Sequence, residues 1–328
     1  MDSILENLVE SFKAGERLAL SRAISLVEDE KLFIGDFLKE VSRESPVAGR
    51  IGITGPPGSG KSTLVSALAH TFRASGEHVG ILSVDPTSPF SGGALLGDRV
   101  RMNDLSGDPG VFMRSVASRG SLGGLSDYSE DIIELMEAFG LTKIIVETVG
   151  VGQTELEVNN LVDSVVVLLV PESGDGVQMM KAGLMEIADI FTINKSDRPG
   201  ADRLLGDLEM SLSLGLKNNQ ENPNGEFWKV PIVKTIAIVG DGIQELFGLL
   251  EKHHDFLQQS NQLETIRRER MTRRIRQEVT SQMCRSIWEN LEVISLVKSS
   301  LSRIDSGEAT VHSVSKAIVE IFGDRKKL

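Results

Sequence analysis

The sequence predicts an α/β fold, with a mostly parallel, doubly wound β-sheet that has helices before and after it. Seven short aliphatic runs predict the strands: RIGITG, HVGILSVD, VFMRSVA, KIIVETVG, SVVVLLVP, IFTINK and PIVKTIA. These runs do not alternate polar and apolar residues, and Gly, Asp or Pro bounds them, which is typical of strands covered on both faces. The amphipathic stretches between them predict the covering helices.

A region with the apolar spacing of helices precedes the first predicted strand. Apolar residues such as Leu5, Leu8 and Phe12 recur at helical intervals between residues 3 and 45, and no strand-like run interrupts them. A second helical region follows the last strand. We therefore expect a helical segment over residues 1–47, a sheet domain over 48–259, and a helical arm and tail over 260–328.

Composition limits the possible functions. Of 328 residues, 40% are hydrophobic, which suffices for a sizeable core, and the formal charge of −12 disfavours a nucleic-acid partner. The acidic N-terminal stretch does not resemble a secretory signal, and no run is long enough to span a membrane. Cys284 is the only cysteine, so an intrachain disulfide is impossible. We expect a cytoplasmic protein that binds neither nucleic acid nor membrane.

The stretch GITGPPGSGKST lies between the first strand and an expected helix, and it fits the P-loop pattern G-x-x-x-x-G-K-[ST]. Glycines let the backbone N–H groups turn towards phosphate, the lysine reaches the β- and γ-phosphates, and the following hydroxyl can ligate Mg²⁺. The pattern predicts a P-loop NTPase. The expected nucleotide-binding residues are Gly55, Pro56, Pro57, Gly58, Ser59, Gly60, Lys61, Ser62 and Thr63.

The sequence NKSD at the end of the strand IFTINK has the order of an N-K-x-D guanine clamp. Asp197 in such a clamp accepts two hydrogen bonds from guanine that adenine cannot supply, so Asn194, Lys195 and Asp197 favour GTP over ATP. After the next strand, the backbone of Thr235, Ile236 and Ala237 could surround the guanine O6. An ordinary strand end is the alternative for these three residues.

Two acidic residues end predicted strands, at the edge where ligands bind in such sheets. Asp85 ends ILSVD, and Glu147 ends IIVE just before Thr148-Val149-Gly150. A carboxylate there can hold Mg²⁺, and the Gly150 N–H can contact the γ-phosphate. Helix capping or turn formation is the alternative role for either carboxylate.

Several longer motifs together resemble one family. GPPGSGKST, SVDPTSPFSGGALLGDRVRM, FMRSVASRGSLGGLS, IIVETVGVGQTE and ADIFTINKSD are similar to the methylmalonyl-CoA mutase-associated GTPases, which have also been labelled arginine/ornithine transport ATPases. The resemblance extends from the N-terminal helices to about residue 290. SGGALLGD and VETVGVGQ carry most of its specificity, because P-loop proteins in general do not share them.

The resemblance implies a homodimeric GTPase chaperone. Such a protein binds an adenosylcobalamin-dependent acyl-CoA mutase, gates its cofactor loading and protects it. By motif, Asp85 and Asp98 would lie in a first switch, Glu147 with Gly150 to Gln153 in a second and residues 172–187 in a third. The implied catalytic residues are Lys61, Glu147, Gly150, Gln153 and Lys181, and the implied Mg²⁺ ligands are Ser62, Asp85, Asp98 and Glu147.

Residues 263–294 predict an amphipathic helix with an arginine-rich first half. Its apolar residues recur every four positions: Met271, Ile275, Val279, Met283, Ile287 and Leu291. Packing onto its own core and dimerisation, which the family uses, both remain open, and RNA binding is a more distant alternative.

Two other functions remain alternatives to the GTPase chaperone. A transport-linked ATPase or kinase would prefer adenine nucleotides, which the N-K-x-D motif disfavours. A metal-insertion GTPase would carry a Cys- or His-rich acceptor segment, and the sequence contains none.

Overall fold

A computed structural model describes residues 3–29, 34–41, 48–85, 104–105, 107–117, 128–148, 154–171, 183–213 and 227–323. The chain divides into two compact units, Met1–Thr265 and Ile266–Leu328. No helix among these residues is both long enough and apolar enough to cross a membrane.

The first unit is built on a seven-stranded sheet in which every strand pair is parallel. The strands are β1 Gly49–Thr54, β2 Val79–Asp85, β3 Val111–Ala117, β4 Lys143–Thr148, β5 Ser164–Leu169, β6 Ile190–Asn194 and β7 Ile232–Thr235. Their order is β3-β2-β4-β1-β5-β6-β7. All seven predicted strands and the parallel α/β architecture are confirmed.

Helices cover one face of the sheet with a large apolar layer. These are α1 Ser3–Lys13, α2 Arg17–Glu28, α3 Ile34–Val41, α5 Ser129–Phe139, the short α6 Thr154–Glu157, α7 Leu184–Ile187 and α8 Ala201–Ser213. Phe12, Leu20 and Phe37 from the N-terminal helices are buried in the same core as Ile133 of α5 and Val146 of β4. The three N-terminal helices therefore contribute to the core of the first unit.

The opposite face is covered by α4 Lys61–Ala74 and α9 Ile243–Gln259. Leu64 and Leu68 of α4 and Leu246 of α9 pack against strand residues such as Ile53 in a second apolar cluster. The helix that follows the phosphate loop is thus held by packing along its length. This packing holds the first turn of α4 at the carboxyl edge of the sheet.

The amino end of β1 is fixed by a buried ion pair. Arg50 donates from Nε and Nη2 to the two carboxylate oxygens of Glu137 on α5, at 2.8 and 2.9 Å. The backbone N–H of Arg50 donates to Asp163 at 3.1 Å. A bidentate arginine–carboxylate pair is geometrically specific. It therefore anchors the strand whose other end begins the phosphate loop.

The second unit is helical. It contains most of α10 Gln262–Trp288, together with α11 Leu291–Asp305 and α12 Val311–Gly323. The prediction of one helix over 263–294 was wrong at its C-terminal end, because α10 ends at Trp288 and a new helix begins at Leu291. Asn290 caps it: its Oδ1 accepts hydrogen bonds from the N–H groups of Glu292 at 2.9 Å and Val293 at 3.4 Å. Asn is among the preferred N-cap residues.

Candidate nucleotide-binding site

The phosphate loop connects β1 to α4 and depends on glycine at two close approaches. A Cβ atom on Gly55 would lie 2.1 Å from the Leu168 carbonyl oxygen, and one on Gly60 would lie 2.5 Å from Asn194 Nδ2. Both glycines also have positive φ angles, 141° and 92°. Other residues would be strained there and would push neighbouring segments away. These glycines therefore keep the loop against β5 and the end of β6.

Lys61 is the first residue of α4 and is buried. Its Nζ donates to the carbonyl oxygens of Gly55 at 2.8 Å and Pro56 at 2.9 Å. These bonds hold the ammonium group against the loop. A phosphate bound by the loop N–H groups would therefore meet a positive charge already in place.

Ser62, in the first turn of α4, contacts Glu147 on β4. Ser62 Oγ donates to Glu147 Oε1 at 2.7 Å, and both residues are buried. The contact follows from topology, since β1 pairs with β4 in a register that places Ile53 beside Glu147. Hydroxyl and carboxylate oxygens are the donors that Mg²⁺ prefers, so this part of the predicted ligand set fits that ion.

The other predicted ligands and catalytic residues are described only in part. Asp85 ends β2 at the same carboxyl edge, but its side chain lies outside the described part of the structure. Asp98, Gly150, Gln153 and Lys181 also lie outside the described residues.

Asn194 links three segments of the site through one buried side chain. Its Nδ2 donates to the Ser59 carbonyl oxygen at 2.8 Å, and its Oδ1 accepts from Ala237 N at 3.1 Å and Thr235 Oγ1 at 3.2 Å. The phosphate loop, the NKSD segment and the loop after β7 are therefore joined at one point. Ile236 N donates to the Asp241 carbonyl oxygen at 3.0 Å and closes that last loop.

Lys195 and Asp197 complete the NKSD segment. Lys195 has a φ of 55°, which turns the chain sharply after β6, and its Nζ donates to the Gly58 carbonyl oxygen at 2.9 Å. Asp197 is exposed two residues later. This arrangement has the parts that a guanine clamp requires: a lysine stem beside the phosphate loop and an accessible carboxylate at the edge of the site.

An open cleft of about 660 Å³ adjoins this site between α4 and the loop after β7. Thr63 and Ala237 line it, as do Ser66, His70 and Asp104, which the sequence did not single out. Asp104 accepts from Ser66 Oγ at 3.1 Å and lies 2.8 Å from His70 Nε2. Hydrogen bonding from His70 lowers the pKa of Asp104. The volume is in the range of small-molecule sites.

Glu155 is a further residue that the sequence did not single out. It lies in the first turn of the short helix α6, two residues after the predicted switch residue Gln153. Burial raises the pKa of Glu155, and the positive charge of Lys61 opposes this rise. Glu155 is therefore a partly buried carboxylate that interacts electrostatically with Lys61 of the phosphate loop. Its place in the sequence GQTE, beside the second switch, was the available signal.

The chain is similar to several known proteins. Residues 20–292 match the family model described as methylmalonyl-CoA mutase-associated GTPase MeaB. The chain is 46% identical over 273 residues to a Pyrococcus abyssi protein named as a GTPase, covering 83% of each chain. It is 34% identical over 271 residues to the mouse mitochondrial methylmalonic aciduria type A homolog, covering 77% of this chain and 64% of that one.

A solved structure shows the same fold. The crystal structure of an LAO/AO transport system kinase superposes with a TM-score of 0.70 at 24% identity, covering 98% of this chain and 99% of that one. The P-loop NTPase fold predicted from the sequence is thereby confirmed.

Proposed function

Since the chain belongs to the methylmalonyl-CoA mutase-associated GTPase family, we propose that it is a chaperone for an adenosylcobalamin-dependent acyl-CoA mutase. In this proposal it gates the loading of the cobalamin cofactor and protects the mutase from inactivation. The observation that carries the proposal is the family match over residues 20–292, which includes the phosphate loop and the guanine segment. The similarity to a methylmalonic aciduria type A homolog supports the same class of partner.

The chain is a GTPase, and its own residues supply most of what hydrolysis requires. We propose that the loop N–H groups and Lys61 bind the phosphates and stabilise the charge that develops on the transferring group. Ser62, Asp85, Asp98 and Glu147 would hold Mg²⁺, which supplies further charge neutralisation when bound. Gly150 and Gln153 would contact the γ-phosphate and orient the attacking water.

The third switch, residues 172–187, is the part of the proposal that connects GTP to the mutase. Its described end supports such coupling: a Cβ on Gly183 would lie 3.3 Å from Leu156, so Gly183 is close to α6. Helix α6 directly follows the second switch. A mutase that binds residues 172–187, including Lys181, could therefore change the γ-phosphate side of the site through α6.

The coupling can be tested through its reciprocity. GTP and GDP should change the affinity for a purified acyl-CoA mutase by the same factor by which the mutase changes the affinity for each nucleotide. We expect a ratio between the two nucleotide states of roughly 5- to 150-fold. The measurement is calorimetric titration of mutase into each nucleotide complex, and of each nucleotide into the mutase complex.

Lys181→Ala should remove most of this ratio. Lys252→Ala, at an exposed position on α9, is the matched control and should keep the parental ratio. Equal mutase affinity in the GTP and GDP states of the parent would refute the proposal. Preference for ATP, or phosphate transfer to a protein acceptor, would support a transport-linked kinase instead.

We also propose that the chain acts as a homodimer formed through the arm. Four residues spaced by one helical turn on α10, Met271, Ile275, Val279 and Met283, are between 48% and 63% exposed. An exposed apolar stripe of this kind is typical of a surface that another helix covers. The nearby residues Arg267, Arg268, Arg270, Arg273, Arg274 and Arg276 make the first half of the helix basic.

Val279→Asp should convert the dimer to a monomer in sedimentation velocity, because it places a charge within the stripe. Ser281→Asp, an exposed position two residues along the same helix, should leave the dimer intact. A parent protein that sediments as a monomer at micromolar concentration would refute this part of the proposal.

A further inference from the structure

Two buried threonine hydroxyls lie at the carboxyl ends of β1, which leads into the phosphate loop, and of β4, which carries Glu147. Thr148 Oγ1 donates to Thr54 Oγ1 at 3.0 Å, and neither residue has exposed surface. Thr54 is the last residue of β1 and directly precedes Gly55, the first glycine of the loop. Thr148 is the last residue of β4 and directly follows Glu147. The bond therefore joins the two chain segments that carry the phosphate-binding and carboxylate groups.

This hydroxyl bond extends the connection between the two strands beyond their backbone pairing. The register of β1 with β4 runs from Gly49 beside Lys143 to Ile53 beside Glu147. Thr54 and Thr148 are the next residues of each strand. Their side chains thus link the strands at the last position before both chains leave the sheet for the nucleotide site.

The two hydroxyls lie on the apolar face opposite α4. Ile51 and Ile53 of β1 pack in the α4 cluster, so Gly52 and Thr54 face the other layer because side chains alternate along a strand. In that layer a Cβ on Gly52 would lie within 3 Å of Val158 and Val162. A hydroxyl that lost its partner in such surroundings would destabilise the fold, whereas removal of both hydroxyls would remove that penalty.

We propose that the Thr54–Thr148 hydrogen bond positions the phosphate loop relative to Glu147 for GTP hydrolysis. The loop after β1 leads into the first turn of α4, which carries Lys61 and Ser62, and Ser62 Oγ donates to Glu147 Oε1 on β4. A small change in the relative height of β1 and β4 would separate these groups. Thr54 and Thr148 are positioning residues, since they act through Ser62 and Glu147 and not on the nucleotide itself.

The test compares three threonine variants by kcat, GTP affinity and melting temperature. Thr148→Val keeps the side-chain shape but removes the donor, and it should lower kcat on the order of tenfold, with GTP affinity nearly unchanged. Thr148→Ser keeps a hydroxyl and should restore most of the turnover. Thr192→Val is the control: Thr192 is a buried threonine on β6 whose hydroxyl has no partner among the described residues, and its loss should not slow hydrolysis.

The double variant Thr54→Val/Thr148→Val separates positioning from stability. It removes both hydroxyls, so its melting temperature should return towards that of the parent, while kcat stays low because the link is absent. Recovery of kcat together with melting temperature would overturn the proposal. So would parental kcat in Thr148→Val, or a Thr148→Ser protein as slow as Thr148→Val.

Discussion

At the scale of single residues, Asn194 joins three segments of the candidate nucleotide site. It uses both ends of its amide, donating to the phosphate loop at Ser59 and accepting from Thr235 and Ala237. Buried amides that use donor and acceptor together have one stable orientation. The guanine-side loops and the phosphate loop are therefore fixed relative to each other before a nucleotide binds.

Asp197→Asn should weaken GTP binding and shift the preference towards xanthosine triphosphate, because the amide presents a donor to the base where the carboxylate accepted. Loss of hydrogen bonds to a charged group predicts a roughly 10- to 100-fold weaker GTP affinity. Competition titration with a fluorescent guanine nucleotide measures both effects. Asp207→Asn, at an exposed position on α8, is the matched control. Equal affinity of the parent for ATP and GTP would contradict the assignment.

Residues of the site differ in how far the sequence predicts them. Lys61, Ser62, Asn194 and Glu147 follow from motifs or from strand ends, because motif spacing and the parallel sheet bring them to one edge. Glu155 does not, since its contribution depends on burial and on the distant charge of Lys61. The contact between Asp104 and His70 on α4 was not predictable either, because the two residues are 34 positions apart in the sequence and only the fold brings them together.

At the scale of elements, the loop between β7 and α9 depends on glycine at one position. Gly242 precedes α9 with a φ of 74°, and a Cβ there would lie 2.1 Å from the Lys234 carbonyl oxygen and 3.0 Å from Thr235 Cγ2. Any larger residue would push the start of α9 away from β7. Because Thr235 and Ala237 contact Asn194, the displacement would extend to the guanine side of the site.

Gly242→Ala should lower the free energy of unfolding by roughly 1–3 kcal/mol and weaken GTP binding, since the strained loop must move. Gly248→Ala is the matched control on the same helix. A Cβ at Gly248 would have no atom within 4 Å, so this change should be neutral or stabilise by about 0.5–1 kcal/mol. Urea unfolding and GTP titration of both variants measure the effects. A Gly242→Ala protein that binds GTP like the parent would show that this loop does not affect binding of the guanine base.

The strands were predictable from sequence, but their order was not. Each strand is an unalternated aliphatic run, a local property that two covered faces produce. The order β3-β2-β4-β1-β5-β6-β7 depends on long-range pairing, so the position of Thr148 beside Thr54 could not be inferred. The end of α10 was missed for another reason. The apolar repeat continues through Ile287 and Leu291, while the capping Asn290 between them ends that helical pattern.

At the scale of the whole molecule, the groups that we propose to bind the nucleotide lie at the carboxyl edge of the sheet. Lys61, Ser62, Glu147 and Asn194 are all buried and held by hydrogen bonds. The remaining groups that we assign to hydrolysis belong to the three proposed switches. We propose that this division between buried binding groups and switch segments allows another protein to control the GTPase.

Steady-state GTP turnover with and without a purified acyl-CoA mutase tests the central claim most directly. We predict that turnover rises saturably with mutase concentration, on the order of tenfold or more if the mutase completes the electrostatic environment of the γ-phosphate. ATP should not replace GTP, and Lys181→Ala should show little stimulation. Turnover that is unchanged at saturating mutase, or a Lys181→Ala protein stimulated as strongly as the parent, would contradict the account.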